Sequence, residues 1–519
     1  MLGKLAYPLM WQDELQTALY GQRVLDYGYP KVHGPRNVYY DLRLDMQRGV
    51  NESLDAYIGT PWLQYYYAAL FEPWARAAAD DRARTARLRL PFALAGLGGV
   101  ALVAMLLARA AGGTRGRRAL WVALYCLLLT LSVSLLLHLR EVRYYPLVVL
   151  GLAASAWLHL GAARAAPRVF GARCLGLAAL LVLLFHSFQP AWFAVAAALC
   201  LDVWLSRRGG PGGVADFARA CAPVWLSALL VLPGVAFYEL LGQAGAQTLR
   251  LEPQPYSQRL GDTLLFLLRY EFLGPALLAL VLRRLVAPGS TPSARASRFL
   301  ALLVLFYVPV AALLPLFFER YVVALSPFIS AIFVLELVAL VDALETPARV
   351  RATFALALVA ALGLASVALR QPELRGRLHE LRTPQHGPLD VAIASIRERY
   401  PDPSQLVIAT SYEAGAYIYY LGSRVQVGNG QARGLPKPGE WPDLVIPRRM
   451  WSPEVEALDA ILEAGRYARE VLPVADLPTN NLPELWQPRS KWFQHRFELA
   501  VPDGDHGRLI LYHYRPGER

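Results

Sequence analysis

A chain of 519 residues that is 55% hydrophobic and only 18% charged, with mean hydropathy +0.32, is too apolar for an ordinary soluble globular protein. Its net charge of +12 does not mark a nucleic-acid binder, because the arginines gather in alternate loops between apolar runs. The cysteines, Cys126, Cys174, Cys200 and Cys221, lie in or beside those runs, which excludes a disulfide framework in the polar tail and leaves no cysteine–histidine spacing for structural zinc.

Residues 1–88 read as a folded segment outside the cytoplasm. Leu15, Ala18, Leu19, Gln22 and Leu25 follow helical spacing from Gln12 to Tyr27, and Gly28 and Pro30 end the run. Pro61 then opens a second short helix, PWLQYYYAALFEPW, dense in interfacial Trp and Tyr. Two amphipathic helices on the outer leaflet fit this pattern; the alternative is a small globular cap with an aromatic core. MLGKLAYPLMWQ is too short and too polar to be a spanning helix or a signal. The expectation is therefore a further membrane helix upstream, the alternative being that later helices carry the segment across.

Residues 89–370 form the membrane bundle. A bilayer core needs roughly 20 apolar residues per helix. The candidate runs are 90–108, 119–138, 146–163, 174–188, 191–206, 221–241, 263–282, 299–318, 321–342 and 352–370. The short runs 174–188 and 191–206 are candidates for tilted, re-entrant or merged helices. One set of alternate loops, from Arg109 to Arg351, holds sixteen arginines; the opposite set holds Arg140, Arg143, Arg250, Arg259 and Arg320. Arginine excess marks the cytoplasmic side. Ten crossings then place 1–88 and 371–519 together on the outer face, in a multi-pass protein of a bacterial inner membrane.

The tail 371–519 changes character. QLVIATS, RVQVG, WPDLVIP and GRLILYHYRP read as strands, with YEAGAYIYYLG and SPEVEALDAILEAG as helices ending in glycine. This alternation predicts a soluble α/β domain. The fold class is thus mainly α: a polytopic transmembrane helical bundle with outer-face amphipathic helices and a C-terminal α/β domain.

Chemistry-bearing residues collect on the outer side. Asp13 and Glu14 open the first helix beside Trp11, where a carboxylate at the edge of a low-dielectric region suits general-base work; acidic residues also favour helix N-termini for dipole reasons alone. LHLREVRYYP places Arg140, Glu141, Arg143, Tyr144 and Tyr145 at a helix mouth, and FFERYVVALSP places Glu319 and Arg320 in a short outer turn. Paired arginines there match a phosphate's forked hydrogen bonds; the plainer reading is an Arg–Glu pair with tyrosine anchors. His186 and Gln189 lie in the turn FHSFQPAW, and a lone histidine at a helix end, like His138, is more often structural. Arg269-Tyr270-Glu271 reads as a buried pair, and Lys31, His33 and Arg36 add cations near the N terminus.

These residues resemble those of polytopic GT-C glycosyltransferases, the group that includes protein O-mannosyltransferases and lipid A aminoarabinose transferases. WQDELQTALYGQRVLDYGYP is similar to the Asp-Glu opening of that family's first outer loop. TPWLQYYYAAL, ARLRLPFALAGLGGVALVAMLLAR, REVRYYPLVVLG and ERYVVALSPF resemble later stretches in the family's order. The family's first helix is not present in this chain, and its proline pair is reduced to Thr60-Pro61. The resemblance implies a sugar donor on a polyprenyl monophosphate, a hydroxyl acceptor on a protein, lipid or glycan, and a single inverting displacement. It implies Asp13 as base, with Glu14 orienting Asp13 or binding the acceptor. Arg143 and Arg320 are the donor-phosphate ligands expected first, then Arg140 and Arg89. Tyr144, His186, Tyr66 and Lys31 are candidate acceptor or sugar contacts. No cofactor, metal or nucleic acid is expected; the partners are the donor, the acceptor and the bilayer. The competing readings are a secondary transporter or lipid flippase, an enzyme using polyprenyl diphosphate donors, and a scaffold displaying the tail.

Overall fold

The computed structural model describes the chain except residues 1, 35–48, 52, 133–134, 162–170, 208–212, 241–254, 287–291, 315–316, 385, 428–440, 450–455, 465, 477–503, 506 and 516–519. Arg36 and Arg250, named above, fall outside the described residues, as do Arg164, Arg168 and Arg208 of the arginine-rich loops. Two compact units emerge: Phe92–Leu378, and Leu2–Pro91 together with His379–Arg519.

The first unit is a helical bundle. Among the described residues, Asp81–Ala111, Gln189–Arg207, Pro292–Ala311, Val323–Glu345 and Arg349–Leu369 are long and apolar enough to cross a bilayer. Tyr145–Gly161 and Ala172–Phe185 are shorter apolar helices, and Arg115–Thr130 occupies the first part of the run 119–138. Two helix pairs that are apolar enough only when taken together are bent, as in a broken span or a re-entrant loop: Val214–Ala220 meets Ala222–Phe237 at 62°, and Tyr256–Tyr270 meets Leu273–Val286 at 83°. The second bend interrupts the run 263–282, expected as one span. Its cause is the polar insertion at Tyr270-Glu271. Fully buried Arg370 donates from Nη1 to the Tyr270 carbonyl at 2.5 Å, and Ser132 Oγ donates to Glu271 Oε1 at 3.0 Å. Broken helices at membrane depth need such donors for their freed backbone and side-chain acceptors.

Packing in this bundle uses small residues and paired charges. A Cβ added at Gly99 would lie 2.8 Å from the backbone of Val149 and Leu150, so glycine lets Asp81–Ala111 approach Tyr145–Gly161 closely. Arg283 Nε donates to Glu336 Oε2 at 2.8 Å, and Ser297 donates to the other oxygen. Asp202 joins His159 Nε2 at 2.9 Å to Arg298 Nε at 2.9 Å. Charges buried among apolar helices persist only when matched in this way. Val350, Phe354, Leu364 and Leu369 stay exposed along Arg349–Leu369, which suits a lipid-facing helix.

In the second unit, helix α1 (Gln12–Tyr27) has the bounds its spacing predicts, closed by Gly28 in the left-handed region at φ 83°. A small antiparallel pair, β1 (Val50–Asn51) and β2 (Ala56–Tyr57), precedes helix α2 (Leu63–Arg76). Gly21 permits α1 to sit on α2, since a Cβ there would meet Ala68 Cβ at 2.9 Å. Tyr20 stacks on Tyr57 at 4.8 Å and meets Tyr65 edge-on at 5.3 Å, an aromatic core between the two helices. Helix α3 (Asp81–Ala111) follows, and the chain passes out of this unit within it.

The tail adds a five-stranded sheet of order β4-β3-β5-β7-β6: β3 (Val407–Thr410), β4 (Arg424–Val427), β5 (Leu444–Ile446), β6 (Tyr467–Ala475) and β7 (Arg508–Tyr514). β4, β3 and β5 run parallel, and β7 pairs antiparallel with β5 and β6. Leu458 and Ile461 of helix Glu456–Ala464 pack on Ala409 and Val445 of the sheet. Beyond the ends of β3 and β5, fully buried Arg448 is held between the carboxylates of Glu413 and Asp476. Burial pushes the Glu413 carboxyl above its usual range even with Arg448 beside it. Replacing Arg448 with Met would leave two buried carboxylates without their cation. The expected loss is about 3–5 kcal/mol, read as a lower unfolding midpoint; an unchanged midpoint would show the triad to be dispensable.

Candidate functional site

The residues expected to act form two groups, one in each unit. The first group sits at the start of α1. Trp11, in extended conformation, begins the helix, and Asp13 and Glu14 occupy its first turn, where the helix dipole favours negative charge. Successive helical residues diverge by about 100°, so the two carboxylates face different surroundings. Glu14 is fully buried and grips Arg89 by a two-pronged bond, Nε to Oε1 at 2.8 Å and Nη2 to Oε2 at 2.5 Å. Arg89 Nη1 also donates to the carbonyls of Leu5 at 2.9 Å and Pro8 at 2.7 Å. Arg89 therefore ties the segment before α1 to the first turn of the helix. Asp13 is half-buried, and its carbonyl accepts from Thr17 Oγ1 at 3.1 Å. Thr17 Oγ1 also lies 3.2 Å from Gln64 Oε1, sharing its one proton between the two acceptors and setting this turn against α2.

Two further expected residues lie in the same unit. Tyr66 is exposed on α2 and donates to the Gly28 carbonyl at 2.8 Å. Lys31 places its ammonium 4.9 Å from the Tyr27 ring centre. Exposed Leu70 and Trp74 give α2 an apolar outer surface.

The second group lies in the helical bundle, in the turns 139–144 and 317–322. His138 joins them: Nδ1 meets Glu141 Oε2 at 3.0 Å and Nε2 meets Glu319 Oε1 at 3.2 Å. A ring with a carboxylate at each nitrogen is suited to the doubly protonated form, in which both nitrogens donate. Arg140, Arg143 and Arg320 are all buried in these turns. Arg143 lies 5.7 Å from the Tyr144 ring centre, and Arg320 lies 3.9 Å from that of Phe318. Tyr144 stacks on Phe188 at 4.8 Å with the planes 10° apart. Phe188 in turn faces Tyr321 at 6.2 Å, and Tyr307 donates to the Tyr321 carbonyl at 3.0 Å. Arg143 and Arg320 thus sit buried against aromatic rings, a setting where hydrogen bonds to an anion gain strength.

His186 is placed elsewhere in the bundle, its Nδ1 3.2 Å from the Tyr238 hydroxyl. In its turn, Phe188 reaches Tyr144 and Tyr321 of the two arginine-bearing turns. Sequence reasoning passed over Phe188, because one aromatic among many apolar residues carries no signal. His138 was read as structural; one of its two carboxylate partners, Glu319, lies 181 residues away in sequence. Among the described residues, no three His, Cys, Asp or Glu side chains are grouped as a metal site needs.

No protein-family model matches the chain, and no curated protein matches it. Solved structures do. ArnT from Cupriavidus metallidurans, in a crystal structure bound to undecaprenyl phosphate, aligns over 98% of this chain and 95% of its own, with TM-score 0.52 and 12% identity. The apo form of the same protein aligns over 98% and 94%, with TM-score 0.52 and 13% identity. The Archaeoglobus fulgidus oligosaccharyltransferase complex with Zn and sulfate reaches only TM-score 0.46 at 15% identity, over 88% of this chain and 68% of its own, and carries no weight here. The match to ArnT establishes the fold. The chain has the GT-C architecture: a polytopic helical bundle with a C-terminal sheet region.

Proposed function

We propose that this protein is a membrane glycosyltransferase that moves a sugar from a polyprenyl monophosphate to a hydroxyl acceptor on the non-cytoplasmic face. The observation that carries this reading is the first turn of α1, where Glu14 is locked on Arg89 and Asp13 is left on a different, half-buried face. It is supported by the fold shared with ArnT, a protein crystallised with undecaprenyl phosphate.

The chemistry is one displacement. The acceptor oxygen forms a bond to the anomeric carbon while the bond from that carbon to the donor phosphate oxygen breaks. The acceptor's proton passes to Asp13, and the electron pair of the broken bond leaves on polyprenyl monophosphate. Configuration inverts. A phosphate leaving group calls for cations more than for a proton donor, the role given to Arg143 and Arg320, with Arg140 in support. Arg89 serves the reaction through Glu14, and Glu14 through the helix turn that carries Asp13. Tyr144, Tyr66, Lys31 and His186 remain candidate contacts for sugar or acceptor.

The test uses purified chain in proteoliposomes, a panel of undecaprenyl monophosphate-linked hexoses and pentoses, and peptide, lipid and glycan acceptors. Arg143→Glu raises the donor KM and weakens binding of undecaprenyl monophosphate by about tenfold or more, the scale of one charge-assisted hydrogen bond. The acceptor KM stays unchanged. Equal effects on donor and acceptor would contradict a phosphate role.

A secondary transporter or lipid flippase is the second reading, since the bundle buries the Arg283–Glu336 and His159–Asp202 pairs, the latter joined by half-buried Arg298. Each of these groups already pairs opposite charges, as helix packing alone requires. A transporter would move the lipid-linked sugar across vesicles that hold no acceptor.

A further inference from the structure

We infer that the C-terminal α/β region serves catalysis through Asp13, because Asp390 and Tyr420 hold the backbone that delivers it, making both positioning residues for the transfer reaction. The inference rests on Asp13 being the base, as proposed above.

Leu9, Met10 and Trp11 lead into α1 two to four residues before Asp13, and Trp11 gives the helix no side-chain cap. The fixing of this lead-in comes from the far end of the chain. The Leu9 N–H points between both oxygens of Asp390, at 3.3 and 3.2 Å, in a buried contact. Oδ2 of the same carboxylate accepts from Gly387 N–H at 2.9 Å. The Met10 N–H donates to the Tyr420 hydroxyl at 3.2 Å. Thr85 Oγ1 donates to the Asp81 carbonyl at 2.9 Å, so in its 2.6 Å contact with Tyr420 it accepts. The Tyr420 proton therefore points at Thr85, and its oxygen is left to receive Met10. The direction of each bond is fixed by the one beyond it.

Tyr420 is itself held in place. It belongs to a single π turn, residues Tyr417–Leu421, every one of them buried. Such turns are costly and recur at functional sites. Arg397 Nη2 donates to the Tyr420 carbonyl at 2.7 Å and to Asp81 at 2.9 Å. Arg84 Nη1 donates to the Tyr419 carbonyl at 2.7 Å, and the Tyr419 hydroxyl donates to buried Glu72 at 3.0 Å. Burial pushes the Asp390 carboxyl up, against the pull of the Gly387 and Leu9 N–H bonds. An acid kept in so unfavourable a setting is there for its acceptors. With Arg89 gripping the Leu5 and Pro8 carbonyls, the lead-in to Asp13 is clamped from two sides.

A base displaced by about 1 Å can lose on the order of 10²-fold in rate. Asp390→Asn replaces one acceptor oxygen by a donor, and Tyr420→Phe removes a single oxygen from the Met10 contact. Both are measured with the donor and acceptor of highest turnover in the panel described above. Each variant is expected to lose on the order of 10- to 100-fold in kcat, with donor KM and undecaprenyl monophosphate binding unchanged. Combined with Asp13→Asn, neither lowers the residual rate further, because the residue acts through Asp13. Wild-type kcat in Tyr420→Phe overturns the inference, and so does a parallel loss of donor binding or an additive loss on the Asp13→Asn background. If Asp390→Asn does not fold, Tyr420→Phe alone decides by the same criteria. Normal turnover in Asp13→Asn would sink the base assignment itself; a dead Asp13→Asn with normal Asp390 and Tyr420 variants would sink only this inference.

Discussion

Asp13→Asn lowers transfer by about 10²–10⁴-fold, the usual contribution of a positioned general base, while the chain still folds and inserts. The substitution keeps size and shape but replaces the proton-accepting carboxylate by a neutral amide. The buried Glu14–Arg89 fork that anchors this helix turn is untouched by the substitution. The loss falls on kcat, since proton transfer belongs to the transition state and not to donor binding. Near-normal transfer in Asp13→Asn would remove the base from this account.

Arg89→Met has the second large effect, on stability. It strands the buried Glu14 carboxylate and takes the donors from the Leu5 and Pro8 carbonyls. Breaking one partner of a buried ion pair costs about 3–5 kcal/mol, visible in thermal or denaturant unfolding. Adding Glu14→Gln to Arg89→Met recovers part of that loss, because the stranded charge is gone. The resemblance to lipid-phosphate-dependent enzymes assigned Arg89 to the donor phosphate; the geometry commits its guanidinium to Glu14. Unchanged stability with a raised donor KM in Arg89→Met would favour the phosphate role instead.

These two results separate what the sequence could show from what it could not. The bounds of α1 were legible because Leu15, Ala18, Leu19 and Leu25 keep helical spacing and Gly28 supplies the left-handed stop. The helical bundle was legible from apolar run length, and the mouth arginines from their place between runs. Partnerships across sequence were not. Glu14 finds Arg89 75 residues away, and Leu9 finds Asp390 381 residues away. No local pattern encodes such a pair. The 83° bend within 263–282 was hidden because Tyr270-Glu271 reads as two polar residues in an apolar run. β6 was missed for a local reason. Pro473 sits inside it, and proline argues against a strand. β6 is the edge of the sheet, where a missing N–H is tolerated, and its register with β7 shifts between Val471 and Ala475 around that proline.

The most direct test follows undecaprenyl monophosphate release by the wild-type chain and Asp13→Asn in proteoliposomes, with the donor panel and with or without hydroxyl acceptors. The account predicts release from one panel donor only when an acceptor is present, matched by glycosylated acceptor of inverted configuration, and abolished in Asp13→Asn. Undiminished release in the variant, or movement of the lipid-linked sugar across the vesicle with no bond made or broken, would contradict it.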